Sequence, residues 1–229
     1  ALGVLLGRIG DVSGAERAFN ELIDLGDRIS AQARALALIS VAWVAIEARA
    51  RGQAASDPEP KLAAALAILS SDAAQQDLLL SAETRLNLVY AILLRGDAPA
   101  ARAALAELVA PTRMLRRWRD FLRARIELLM DAPHAALRGF SAVTNDANEA
   151  SDRGLQWSAM VGAGEALEQL GRDDDALDRY RHAARMHARD LDGVAIDAGR
   201  ERYAAERDRG AQRLVALLVR LGRNAEALC

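Results

Sequence analysis

The chain has 229 residues, 52% of them hydrophobic, which is enough for a sizeable buried core without the help of disulfides. Thirty basic residues oppose thirty-two acidic ones, and a net charge of -2 supplies no global attraction to nucleic acid or to an anionic membrane. The single cysteine, Cys229, excludes a disulfide framework or a thiolate metal site within one chain and is compatible with a cytoplasmic location.

Ala, Leu, Arg and Glu dominate, threonine occurs only at Thr84, Thr112 and Thr144, and no run alternates apolar and polar residues for long. These features predict an all-α chain. The opening "ALGVLLGRIG" lacks the basic start and cleavage site of a signal peptide and reads as a helix cut at its beginning. Arg, Glu or Asp interrupts every apolar run before the roughly 20 residues of a membrane span. Helices are expected near 1–9, 13–25, 28–51, 60–71, 74–95, 98–109, 112–130, 133–146, 150–170, 174–190 and 195–221. Between the third and fourth, "GQAASDPEPK" carries Pro58 and Pro60, which forbid helix continuation and delay the next helix. This loop is too short for a domain linker, so residues 1–229 are expected to form one continuous repeat domain. The last stretch, "LLVRLGRNAEALC", stops where a new helix would start, and the chain is expected to be part of a longer protein.

A fixed spacing recurs along these helices. Gly171 is followed five, nine and twelve residues later by Ala176, Tyr180 and Ala183. Gly10 precedes Ala15, Phe19 and Leu22, and Gly96 precedes Ala101, Leu105 and Leu108 at the same offsets. Asp131 stands in the glycine's place before Ala136, Phe140 and Val143, and Gly222 precedes Ala227. A weaker anchor is expected near Gly52. Physically, a glycine in the left-handed region ends one helix, and a short turn lays the next helix back along it. The small alanine permits close approach, and the large residue one turn later wedges into the seam. One such hairpin cannot bury its apolar face alone, so neighbours must stack.

These offsets and the segment "AGEALEQLGRDDDALDRYRHAARM" resemble the tetratricopeptide repeat, with Gly164, Leu170, Gly171, Ala176, Tyr180 and Ala183 at its small and large positions. The resemblance implies a right-handed superhelical solenoid of antiparallel helix pairs, about five to six repeats long. Most intervals exceed the family's usual length.

Several stretches suggest chemistry. Asp173, Asp174 and Asp175 fall where a helix start favours acids, because its N–H groups are unpaired and its dipole is positive there. Three successive residues at a helix start point in different directions, so they do not converge on a metal. His182 and His187 are five apart and do not share a helix face, and His134 stands alone. In "VGAGEAL", Leu167 replaces the third glycine of a dinucleotide fingerprint, and Gly164 instead suits close helix packing. "RMLRRWRDFLRAR" interleaves six arginines with Trp118 and Phe121, but Leu115, Trp118, Leu122 and Ile126 lie at helical spacing and predict a core stripe. The balance argues against nucleic acid. No nucleophile elbow, His-Glu-x-x-His pair or phosphate loop occurs, and the reading is of a non-enzyme with no cofactor and no metal.

What the repeat resemblance implies for function is a concave groove, lined by first helices, that binds a protein or peptide partner. Counting back from each anchor by the family's spacing puts Glu83, Asn87, Tyr90, Trp118, Arg125, Glu165, Gln169 and Arg213 on or near that inner face. A second likeness covers "GRERYAAERDRGAQRLVALLVRLGRNAEAL", Gly199 to Leu228, which is similar to the last repeats before the caspase-like CHAT peptidase domain of bacterial proteins. It implies a module that controls an attached effector whose catalytic residues lie outside this sequence. The competing expectation is the ligand-sensing repeat domain of a bacterial transcriptional activator. Neither expectation involves a membrane.

Overall fold

The computed structural model describes residues 3, 6, 11–71, 77–192 and 208–227, of which 187–192, 208 and 209 are described by their backbone alone. Among them every regular element is helical. The α-helices are α1 (Val12–Asp24), α2 (Ala31–Ala50), α3 (Glu59–Leu69), α4 (Leu78–Leu94), α5 (Ala98–Ala106), α6 (Arg113–Leu129), α7 (Pro133–Glu149), α8 (Arg153–Gln169), α9 (Asp173–Asp192), α10 (Asp208–Arg220) and α11 (Asn224–Ala227). A single 3-10 turn, Gly26–Arg28, separates α1 from α2.

Most helix starts follow from capping chemistry. The carboxylates of Asp11, Asp77, Asp97 and Asp152 accept the N–H of Gly14, Leu80, Ala100 and Leu155. Asp77 therefore starts α4 four residues later than the periodicity suggests. Ser30 caps α2 through the Ala33 N–H at 3.1 Å, so that helix begins at Ala31 rather than 28. Pro60 sits in the first turn of α3, where a missing N–H costs nothing. The preceding loop is tied back to α1, because Glu16 accepts both the Ser56 N–H at 3.2 Å and its hydroxyl at 2.6 Å. α5 ends at Ala106, short of the expected 109, and α7 runs on to Glu149. The expected helix over 1–9 and the first half of that over 195–221 lie outside the described residues, apart from positions 3 and 6.

The turns realise the repeat. At Gly171, φ is 69°, its N–H donates to the Glu168 carbonyl at 3.0 Å, and the Arg172 N–H reaches the Leu167 carbonyl at 2.9 Å. Those two bonds close the end of α8. Asp131 does the glycine's work at φ 56°, with its own N–H on Leu128 and the Ala132 N–H on Glu127. The same pair of bonds recurs at Gly52, Gly96 and Gly222, and at Ser151, which the sequence pattern does not single out.

Residues at the small and large offsets are buried as the spacing requires. Ala176, Tyr180 and Ala183 are in the core, as are Ala136, Phe140 and Val143, and Ala101, Leu105 and Leu108. Ala15 and Phe19 are buried too, but Leu22 is 42% exposed, and Ile23 packs against the Ala15 and Phe19 cluster instead. The wedge is tight around α8. A Cβ on Gly162 would come within 2.6 Å of the Phe140 ring of α7, and one on Gly164 within 2.5 Å of the Tyr180 ring of α9. Both glycines exist to let an aromatic ring reach the helix backbone.

Contacts divide the chain into two compact units, Ala1–Leu122 and Arg123–Cys229, with the boundary inside α6. In the first unit α2 packs against α1, α3 and α4, and α4 against α3 and α5. In the second, α8 packs against α7 and α9, α9 against α10, and α10 against α11. α2 corrects one expectation, because by length and composition it is apolar enough to cross a membrane. Half of its most apolar window is buried here against its neighbours, the behaviour of a core helix.

Candidate binding faces on the first helices

Counted from the turns at Gly52, Gly96, Asp131, Gly171 and Gly222, the helix before each turn is the first of a pair and the helix after it the second. The eight residues singled out from the sequence all fall on first helices: Glu83, Asn87 and Tyr90 on α4, Trp118 and Arg125 on α6, Glu165 and Gln169 on α8, and Arg213 on α10.

In the second unit the structure brings three of them together. Glu165 is buried at 7% exposure, and its carboxylate meets Arg125 Nη1 of α6 at 2.5 Å and lies 3.8 Å from Arg213 Nε of α10. A buried carboxylate must be paired, and here it is flanked by guanidinium groups from two other first helices. One turn on, Glu168 accepts the Tyr180 hydroxyl at 2.5 Å and pairs with Arg220 at 3.1 Å. Arg220 in turn reaches Asp173 at 2.7 Å. Burial, followed by the hydrogen bond and the negative charge of Glu168, pushes the Tyr180 phenol far above its ordinary range. Gln169 is exposed beside this network.

The acidic triplet opens the next helix, and its first member joins that network. Asp173, Asp174 and Asp175 occupy the first turn of α9; Asp173 faces Arg220, and Asp175 pairs with Arg172 at 2.7 Å. Among the described residues no group of three or more His, Cys, Asp or Glu side chains is placed to hold a metal ion. His134 and His182 are exposed, and the side chain of His187 lies outside the described residues.

No family model matches the chain, and no curated protein does either. Local geometry therefore carries the functional reading.

In the first unit, Glu83, Asn87 and Tyr90 share one partly exposed stripe of α4 with Leu79, which is 43% exposed. Trp118 is 38% exposed and meets Phe121 edge-on, ring centroids 5.7 Å apart. The expected core stripe of α6 is thus corrected. Leu115, Leu122 and Ile126 are buried on one flank and Phe121 and Leu128 on the other, and Trp118 stands open between them with Met114. Of the arginines there, Arg113, Arg116 and Arg123 are exposed, and Arg119 pairs with Asp120 at 3.0 Å.

Sequence reasoning missed Trp43. Between Ala35 and Ala48 of α2, the positions left open are Leu36, Ile39, Ser40, Trp43 and Glu47, which form a single stripe at helical spacing. Leu36 is 44% and Trp43 41% exposed, and the indole N–H donates to Glu47 at 3.0 Å. It also missed Trp157 of α8, whose ring would touch a Cβ on Gly210 of α10 at 2.8 Å.

Proposed function

We propose that this chain is a protein–protein interaction module of the tetratricopeptide kind, which holds a peptide or a segment of a partner protein on the inner face of its first helices. The observation that carries this reading is the burial pattern of those helices. α2, α4 and the start of α6 are buried along both flanks and leave open a stripe, which holds the exposed Trp43 on α2, the exposed Leu79 and partly exposed Tyr90 on α4, and the exposed Trp118 on α6. Large exposed apolar side chains in an ordered row are what a docking face presents, and aromatic residues dominate the energetics of such faces. The recurring turn and wedge support stacking of the pairs, and stacked pairs offer extended concave surfaces.

In the same reading, the module recruits or senses a partner on behalf of an attached effector, such as a CHAT peptidase. The likeness behind that role covers Gly199 to Leu228, of which 199–207 and 228 lie outside the described residues.

The test is selection of binders from a displayed library of random peptides, with affinities measured by fluorescence anisotropy. Enriched peptides are expected to bind in the micromolar range and to lose about tenfold in affinity, ~1.4 kcal/mol, in Trp43→Ala combined with Tyr90→Ala. Failure to enrich any peptide, or binding indifferent to that pair of changes, would overturn the proposal.

A further inference from the structure

We infer that the α2–α4 face of the first unit takes an apolar, helix-forming segment that carries lysine or arginine along its edges. This rests on the docking role proposed above and adds the chemistry of the partner.

Contiguity of the two stripes comes first. Tyr90 and Leu94 of α4 pack against the buried cluster formed by Ala42 and Ile46 of α2, Leu62 of α3 and Ala91 of α4. Ala42 and Ile46 are the direct chain neighbours of Trp43 and Glu47, so the open stripe of α2 runs beside that of α4. Leu36, Trp43, Leu79 and Tyr90 together supply the large apolar contacts, and the rows are long enough to meet several turns of a partner helix at its i, i+3 and i+4 anchors.

Charge decides what kind of segment fits. Glu47 and Glu83 are the charged residues of the two stripes. The arginines of these helices lie elsewhere and pair with local acids: Arg34 with Asp27 at 3.5 Å, Arg49 with Asp57 at 3.6 Å and Arg85 with Glu107 at 3.4 Å. Trp43 holds the Glu47 carboxylate on the stripe through its indole N–H. The face is therefore apolar with the Glu83 carboxylate on its edge, in contrast to the Arg-Glu clasp on the first helices of the second unit. An apolar segment with basic edges is attracted to such a surface, and one with acidic edges is repelled.

Three labelled peptides of about sixteen residues, long enough to hold helical structure, separate the contributions. The first is amphipathic in leucine and lysine, the second in leucine and glutamate, and the third replaces leucine by serine and keeps the lysines. The leucine–lysine peptide is expected to bind the intact chain about tenfold more tightly than either of the others at low salt. Trp43→Ala should weaken it about tenfold. Glu83→Lys, at a partly exposed position that leaves the core untouched, should weaken it several-fold and raise the affinity of the leucine–glutamate peptide. Equal or tighter binding of the leucine–glutamate peptide would overturn the inference, as would indifference to both substitutions. Concentration-dependent self-association that displaces the peptide would assign the face to a second copy of the chain and also overturn it. If library selection yields stripe-dependent peptides rich in Asp or Glu, this inference falls while the docking role stands.

Discussion

At the scale of single residues, Tyr180 is the best-defined side chain. It sits nine residues past its turn, is 1% exposed, fills the space over Gly164, and donates a hydrogen bond from its hydroxyl to Glu168. Its phenol is held neutral in the fold to a pH well above the value of about 10 at which a free tyrosine ionises. The stabilisation this contributes is fully present below about pH 10 and is lost as pH rises beyond that, because the unfolded chain then gives up a proton that the folded chain retains. Tyr180→Phe should cost about 1.5–3 kcal/mol at neutral pH for a hydrogen bond to a charged partner, and its stability should fall less steeply above pH 10 than that of the unsubstituted chain. Urea titrations across that range read both effects. Tyr180 was legible in the sequence because its place relative to Gly171 is local. Trp43 was not. α2 is apolar on nearly every side, so no periodicity in its sequence marks which stripe the neighbours leave uncovered, and burial by α1, α3 and α4 alone decides it.

At the scale of elements, the hairpin is set by a turn, a small residue and a wedge. Spacing counted from the turns also carries across repeats: Tyr90, Arg125 and Glu165 each stand six residues before Gly96, Asp131 and Gly171. Counting from the anchors thus singled out Arg125 and Glu165 each as an inner-face position, and the structure shows the two paired. Apolar spacing within α6, in contrast, read Trp118 as part of a core row, since two buried flanks on one helix are a tertiary outcome that a single row of apolar positions does not reveal. Helix starts shifted by a few residues wherever an aspartate or serine cap overrode the apolar pattern. The tight contact between α8 and α9 yields a sharp test. Gly164→Ala gains up to about 1 kcal/mol of helix propensity, yet places a methyl group against the Tyr180 ring, and overpacking of this kind costs about 1–3 kcal/mol. A net loss of stability in thermal unfolding is expected. A more stable variant would show that α8 and α9 do not approach as described.

At the scale of the molecule, the two compact units present first helices of different character. In the second, the charges at the anchor-related positions are used on one another, in a chain from Arg125 through Glu165 to Arg213 and a second from Tyr180 through Glu168 and Arg220 to Asp173. In the first unit, the corresponding rows hold Leu36, Trp43, Leu79 and Trp118 in the open, with Tyr90 partly buried beside them. The proposed docking role rests on this difference, with a clasp toward one end of the sequence and an exposed aromatic face toward the other. The most direct measurement uses a chain whose only tryptophan is Trp43, made by Trp118→Phe and Trp157→Phe, and follows quenching of its fluorescence by acrylamide. Trp43 is 41% exposed and should be readily quenched alone, then shielded with a blue-shifted emission when a library-selected peptide is bound. Unchanged quenching and emission at saturating peptide would contradict the claim that this stripe is the docking face.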